Sequence, residues 1–212
     1  MADLKTIMAD VLQEMNNQGA FIARELRPGL SRAEIFQICS TLPLTLPDDL
    51  VKLYETCDGI DEEMSEGTDF IDGLRLLPLS ECVVQYQLLR GRSVRFGDTG
   101  FHPGWLPILH DGSGDRYMVD CDQGSSSFGV VVDNPNDGLA HPIFSSISDM
   151  LTTLLFFYRE GVFNIDGGYI IDWDIEKEIR IGARLNPNLT YWTDALDNLT
   201  RRQQRGPNYP EY

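Results

Sequence analysis

Residues 104–122, GWLPILHDGSGDRYMVDCD, place two apolar runs on either side of a short polar turn. The runs predict strands at 106–109 and 116–121, and the turn at Asp111, Gly112, Ser113 and Gly114 is tight enough to fold one back on the other. The same rhythm continues. Residues 128–133 are a third apolar run, Asn134-Pro-Asn-Asp-Gly138 is a strong turn, and 141–144 is a fourth run. Short strands joined by short loops predict an antiparallel meander.

Helical signals surround this meander. Leu4, Ile7, Met8, Val11, Leu12 and Met15 recur at helical spacing, and Gln18-Gly19 ends or interrupts that helix. Arg27-Pro28-Gly29 reads as a turn. Ser31 and Glu34 have the spacing of a capping box for a helix running to about Ser40. A further helix opens at Leu46-Pro47-Asp48-Asp49, with Pro47 in its first turn and two carboxylates at the positive end of its dipole. Leu50, Leu53, Tyr54 and Cys57 form its buried stripe, and Asp58-Gly59 predicts a left-handed glycine C-cap. Phe70-Ile71 and 74–77 are short strand candidates. Ser80 caps a helix over 81–89 that Gly91 ends, and 93–104 reads as irregular. Ser146 and Asp149 resemble a second capping box. Ile147, Met150, Leu151, Leu154, Leu155 and Tyr158 follow at helical spacing until Gly161. Residues 169–173 predict a strand and 174–185 a helix. The last dozen residues, with Arg201, Arg202 and Arg205, read as a loose tail. Trp105, Trp173 and Trp192 are expected as core anchors.

The 212 residues with 42% hydrophobic content suffice for one large domain with terminal extensions. The formal net charge is −16. Such a chain repels nucleic acid and anionic membrane surfaces, and it attracts and steers a basic protein. The acid is concentrated. Asp58, Asp61, Glu62, Glu63, Glu66, Asp69 and Asp72 follow one another with no Lys or Arg among them. Between 101 and 150, Asp111, Asp115, Asp120, Asp122, Asp133, Asp137 and Asp149 face Arg116 alone. The plain reading is a solvated surface that keeps the protein soluble; the functional one is a face that recognises a partner.

Cys39, Cys57, Cys82 and Cys121 have no metal-type spacing and sit among apolar residues, so buried free thiols in a reducing compartment are expected. No secretory signal or membrane span is read, and cytoplasm is the default. Asp111, Asp115, Asp120 and Asp122 lack the alternating ligands and terminal glutamate of a calcium loop, and Arg116 competes with a cation there. His102, His110 and His141 lack zinc spacing. There is no nucleophile elbow and no phosphate loop. The chain reads as a binding protein and not an enzyme, with no cofactor and no metal.

Several of these segments, in order, resemble one family. Leu46-Pro47-Asp48-Asp49-Leu50 through Tyr54 to Asp58-Gly59 is similar to the "LP…Y…NG" helix of the SUKH superfamily, with Asp where Asn is commoner. The strand-to-helix step at 76–80 resembles its "L-L-P-L-x-E". Trp105-Leu106-Pro107-Ile108 with Asp111-Gly112-x-Gly114-Asp115 resembles its central hairpin, and 146–155 its closing "S-F-x-E-F-L" helix. Asn186-Pro187 to Tyr191-Trp192 is similar to the ending of some bacterial members.

The resemblance implies an α+β fold whose central, mostly antiparallel β-sheet is flanked by helices. The match spans the expected SUKH (Smi/Knr-like) domain (31–192); an N-terminal helical extension (1–30), which the resemblance does not cover, precedes it, and a C-terminal tail (193–212) follows. The resemblance implies protein binding, either as an immunity protein that neutralises a toxin, often a nuclease, or as a scaffold that binds an endogenous partner. The residues expected to meet a basic partner are Asp58, Asp61, Glu62, Glu63, Glu66, Asp69, Asp72, Asp111, Asp115, Asp120 and Asp122.

Overall fold

Antiparallel pairing of the meander frames the structure, a computed structural model that describes residues 3–61, 70–71, 73–97 and 100–205. In chain order the elements are α1 (Leu4–Asn17), α2 (Ile22–Glu25), α3 (Arg32–Ile38) with a 3-10 turn at Cys39–Thr41, α4 (Asp48–Thr56), β1 (Arg75–Leu76), α5 (Leu79–Phe96), β2 (Trp105–His110), β3 (Arg116–Asp120), β4 (Val131–Asn134), β5 (His141–Phe144), α6 (Ile147–Arg159), β6 (Phe163–Asp166), β7 (Tyr169–Trp173), α7 (Ile175–Leu185) and α8 (Thr190–Arg205). The first five strands form one antiparallel sheet in sequence order, and β6 and β7 form a separate hairpin. The fold is the expected α+β arrangement.

Tyr117, Met118 and Val119 of β3 are all buried, so the centre of the sheet is covered on both faces. Helix α5 packs on β2, α8 on β5, and α6 on β5, α4 and α7. Leu4, Met8, Val11 and Met15 of α1 lie in the same core and pack toward α4 and α6. Trp192 is the largest buried side chain. Its Nε1–H donates to the Ile143 carbonyl at 2.7 Å, and its ring meets Phe144 and Phe157. Gly182 of α7 leaves the room it needs, since a Cβ there would sit 2.1 Å from the indole.

The local signals act as follows. Ser31 Oγ accepts the Glu34 N–H at 3.3 Å while the Glu34 carboxylate accepts the Ser31 N–H at 2.8 Å, completing the capping box. At Ser146 only half of the box forms: Oγ accepts the Asp149 N–H, and the Asp149 carboxylate answers the hydroxyl. Pro47 is the N-cap of α4 and not part of its first turn. Pro28 is extended and bridges to Cys57 instead of turning.

Three expectations are corrected. Gly91 does not end α5. The helix continues to Phe96, and Gly97, with φ +68°, is its left-handed cap; the added stretch is largely exposed, with Val94 in water. Of the last dozen residues, 201–205 are not loose but the end of α8, whose Trp192 and Leu196 pack on the core; 206–212 lie outside the described residues. Trp173 is not a core anchor; it is 41% exposed.

Candidate functional site

The Tyr54, Asp58 and Gly59 motif at the end of α4 clasps the start of α5. Helix α4 ends in an extended Cys57, so Gly59 is not its cap. Gly59 has φ +68°, and a Cβ on it would lie 2.4 Å from the Leu77 carbonyl carbon. The Tyr54 hydroxyl donates to the Leu77 carbonyl at 3.0 Å. Asp58 Oδ1 accepts the Leu79 N–H at 2.9 Å, capping a helix whose own N-cap, Pro78, offers no side-chain acceptor. The other Asp58 oxygen meets Arg27 at 2.9 Å. Burial pushes the Asp58 carboxyl above its ordinary value, against the pull of the Leu79 N–H and of Arg27.

Residues 58–61 then run beside β1. Ile60 N–H donates to the Leu76 carbonyl at 2.9 Å, and the Arg75 guanidinium donates back to the Ile60 carbonyl. Arg75 also pairs with Glu81 at 2.8 Å and sits opposite His110 across the sheet. Asp61 is thereby brought to the end of the sheet that carries the β2–β3 turn. The β4–β5 loop, with Asp137, reaches the same end, because Arg116 pairs with Asn134.

The β2–β3 turn is built on Asp111. Its Oδ1 accepts the N–H groups of Ser113, Gly114 and Asp115 at 2.8, 2.8 and 2.9 Å, and its Oδ2 takes the Ser113 hydroxyl. Burial opposes ionisation here, but the Ser113 hydroxyl and these three N–H groups outweigh it and hold the carboxyl below its ordinary value. Asp115 Oδ1 accepts the Asn136 N–H at 2.8 Å, tying the two loops together. Behind the turn lies His110, whose Nε2 is buried without a hydrogen-bond partner among the described residues. Its burial, then the charge of Arg116, lowers its pKa, so the imidazole is neutral at pH 7.

The acidic residues therefore divide. Asp61, Asp111 and Asp115 share one end of the sheet. Asp120 and Asp122 lie at the other end of β3, a strand of five residues or about 17 Å. Asp58 and Asp120 are corrected as surface contacts, because both are buried. Asp58 is committed as above, and Asp120 accepts from the Asp122 N–H and the Ser127 hydroxyl at 2.9 and 2.7 Å. Asp122 is exposed and accepts the Gly124 N–H at 2.9 Å. Asp61 is exposed but holds Arg27 at 2.9 Å. Glu62, Glu63, Glu66, Asp69 and Asp72 lie outside the described residues.

For chemistry, the thiols are poor nucleophiles. Burial pushes Cys39 up to about 11 and Cys57 to about 12, and raises Cys82 and Cys121 as well. Among the described residues, no three His, Cys, Asp or Glu side chains are gathered as a metal site requires, and no helix is long and apolar enough to cross a membrane. A cavity of about 530 Å³ at the Asp122 end is lined by Thr45, His102, Gly104 and Cys121, among others. There the His102 Nδ1 accepts the Gly104 N–H at 3.2 Å, which occupies the nitrogen that would serve as a base.

Sequence reasoning missed the surface of the β6–β7 hairpin. Ile171 and Ile175 are each 59% exposed, beside Tyr169 and Trp173. The signal was present in Tyr-Ile-Ile-Asp-Trp-Asp-Ile, where apolar and acidic residues interleave before a helix.

A family model, the SMI1 / KNR4 family (SUKH-1), matches residues 29–153, more than half of the chain. A comparison with curated proteins gives no match.

Proposed function

Because the chain belongs to the SMI1 / KNR4 family (SUKH-1), we propose that it is a non-enzymatic immunity protein that binds a basic toxin through the acidic end of its five-stranded sheet. The observation that carries this reading is the convergence of three acidic segments there: the 58–61 stretch beside β1, the β2–β3 turn and the β4–β5 loop. Asp115 and Asp137 are exposed on it. Between Asp61 and Phe70 the chain adds Glu62, Glu63, Glu66 and Asp69 without a compensating cation.

One sign of charge on several adjoining loops raises the local concentration of an oppositely charged protein and speeds its capture. A nuclease toxin fits this chemistry, since its cleft is basic in order to hold phosphates. The carboxylates would then occupy the place of the substrate's phosphates, and the toxin is blocked without being altered.

The test is association kinetics with a toxin domain encoded beside this chain's own gene. Reversing Glu62, Glu63 and Glu66 to lysine, or Asp115 to lysine, is expected to slow association about tenfold at low salt and to flatten its salt dependence. Asp115 is preferred to Asp111, whose replacement would dismantle the turn. On-rates indifferent to both sets would refute electrostatic docking at this end.

A further inference from the structure

We infer that the β6–β7 hairpin and the first turn of α7 are a second docking surface, one that takes a basic, apolar-bearing segment of a protein partner. The inference rests on the protein-binding reading above but uses different residues, all of them C-terminal to the family match.

Strand β7 carries one residue more than β6 between their paired positions. Ile165 faces Ile170 and Asn164 faces Asp172, leaving Ile171 unpaired in a bulge. Bulges re-aim side chains, and here Ile171 is turned out to 59% exposure. Trp173 follows at 41% and Ile175, at the start of α7, at 59%. Three large apolar side chains left exposed within residues 171–175 point to an interface. A half-exposed tryptophan is also the residue type that most often anchors one.

The charges around these anchors select the partner. Asp166 and Asp172 have no ion-pair partner among the described residues. Asp174 meets Lys177 at 3.6 Å while capping α7. Lys177 also donates to the Gly161 carbonyl, so the cation is turned toward the protein's own backbone. A second copy of this chain would bring the same carboxylates face to face, and an anionic membrane would be repelled. A segment alternating Lys or Arg with aliphatic residues matches both features: its apolar side chains cover Ile171, Trp173 and Ile175, and its cations meet Asp166 and Asp172.

The experiment titrates the isotope-labelled full chain with a short peptide of alternating lysine and valine, read by backbone amide and indole resonances. Residues 169–175 are expected to shift saturably, and affinity should fall as salt rises. Trp173→Ala should weaken binding about tenfold. Asp172→Asn keeps the oxygen that accepts the Trp173 N–H while removing the charge; it should weaken binding about threefold and flatten the salt dependence. Retained cross-strand contacts between Ile165 and Ile170 in both variants will show that the hairpin has not unfolded. If only residues 111–115 and 135–138 respond, the hairpin inference is overturned and the acidic-end reading stands. If neither region responds, the hairpin inference is overturned, while the acidic-end reading is decided by the toxin kinetics above. Self-association through residues 169–175 would overturn it in favour of a second copy.

Discussion

At the acidic end of the sheet, Asp58 caps α5 and holds Arg27, and Asp111 gathers three backbone N–H groups into a turn. At the β6–β7 hairpin, Asp166 and Asp172 remain beside Ile171 and Trp173, whose apolar surface stands in water. The same residue type builds the backbone in one region and leaves it largely alone in the other. An aspartate whose side chain meets backbone N–H groups, as Asp58 and Asp111 do, is first a turn or cap component. Unmatched apolar exposure is the sharper sign of surface held ready for another molecule.

That contrast can be broken by mutation. The largest effect is expected for Gly59→Ala, whose Cβ would collide with the Leu77 carbonyl at 2.4 Å in a left-handed backbone. A loss of about 4 kcal/mol is expected by urea denaturation. Next, Asp58→Ala uncaps α5 and leaves Arg27 with Asp61 alone, with an expected cost of about 2 kcal/mol in the same measurement. Asp111→Asn should cost about 1 kcal/mol at neutral pH. Its folded carboxyl lies below the unfolded value of 3.8, so this stability is present above 3.8 and disappears as pH falls through the folded value. The variant and the parent should converge in acid unfolding curves below that window. The smallest effect belongs to the hairpin: Ile171→Thr should change stability by no more than about 0.5 kcal/mol. A loss above 2 kcal/mol there would mean that the exposed isoleucine is structural after all and would erase the distinction between the two regions.

The sequence made the meander legible because two of its three turns carry strong chemistry, Asp111 to Gly114 and Asn134 to Gly138, between runs of β-prone residues. Helices α4 and α6 were legible from clean apolar spacing. Helix α5 reads as shorter because Gly91 looks like a stop, yet glycine inside a helix costs only about 1 kcal/mol, and a left-handed cap follows at Gly97. Strand β6 was hidden because Asn164 and Asp166 leave it few β-prone residues, and its pairing depends on a partner that follows Gly167 and Gly168. Helix α8 was hidden because its arginines and polar residues suggest a tail; Trp192, inserted over Gly182, holds it instead. At the candidate site, charge was visible but its employment was not. Nothing in the order Cys57-Asp58-Gly59 reveals that the carboxylate reaches a helix start 21 residues later.

The clasp formed by Tyr54, Asp58 and Gly59 has an evolutionary consequence. It fastens the chain just before Asp61, and Phe70 is refastened through its N–H to the Leu74 carbonyl at 2.8 Å. Each of the clasp's three residues acts on Leu77 or Leu79, so a substitution at one removes part of a joint that the other two do not restore, and the three positions are constrained as a set.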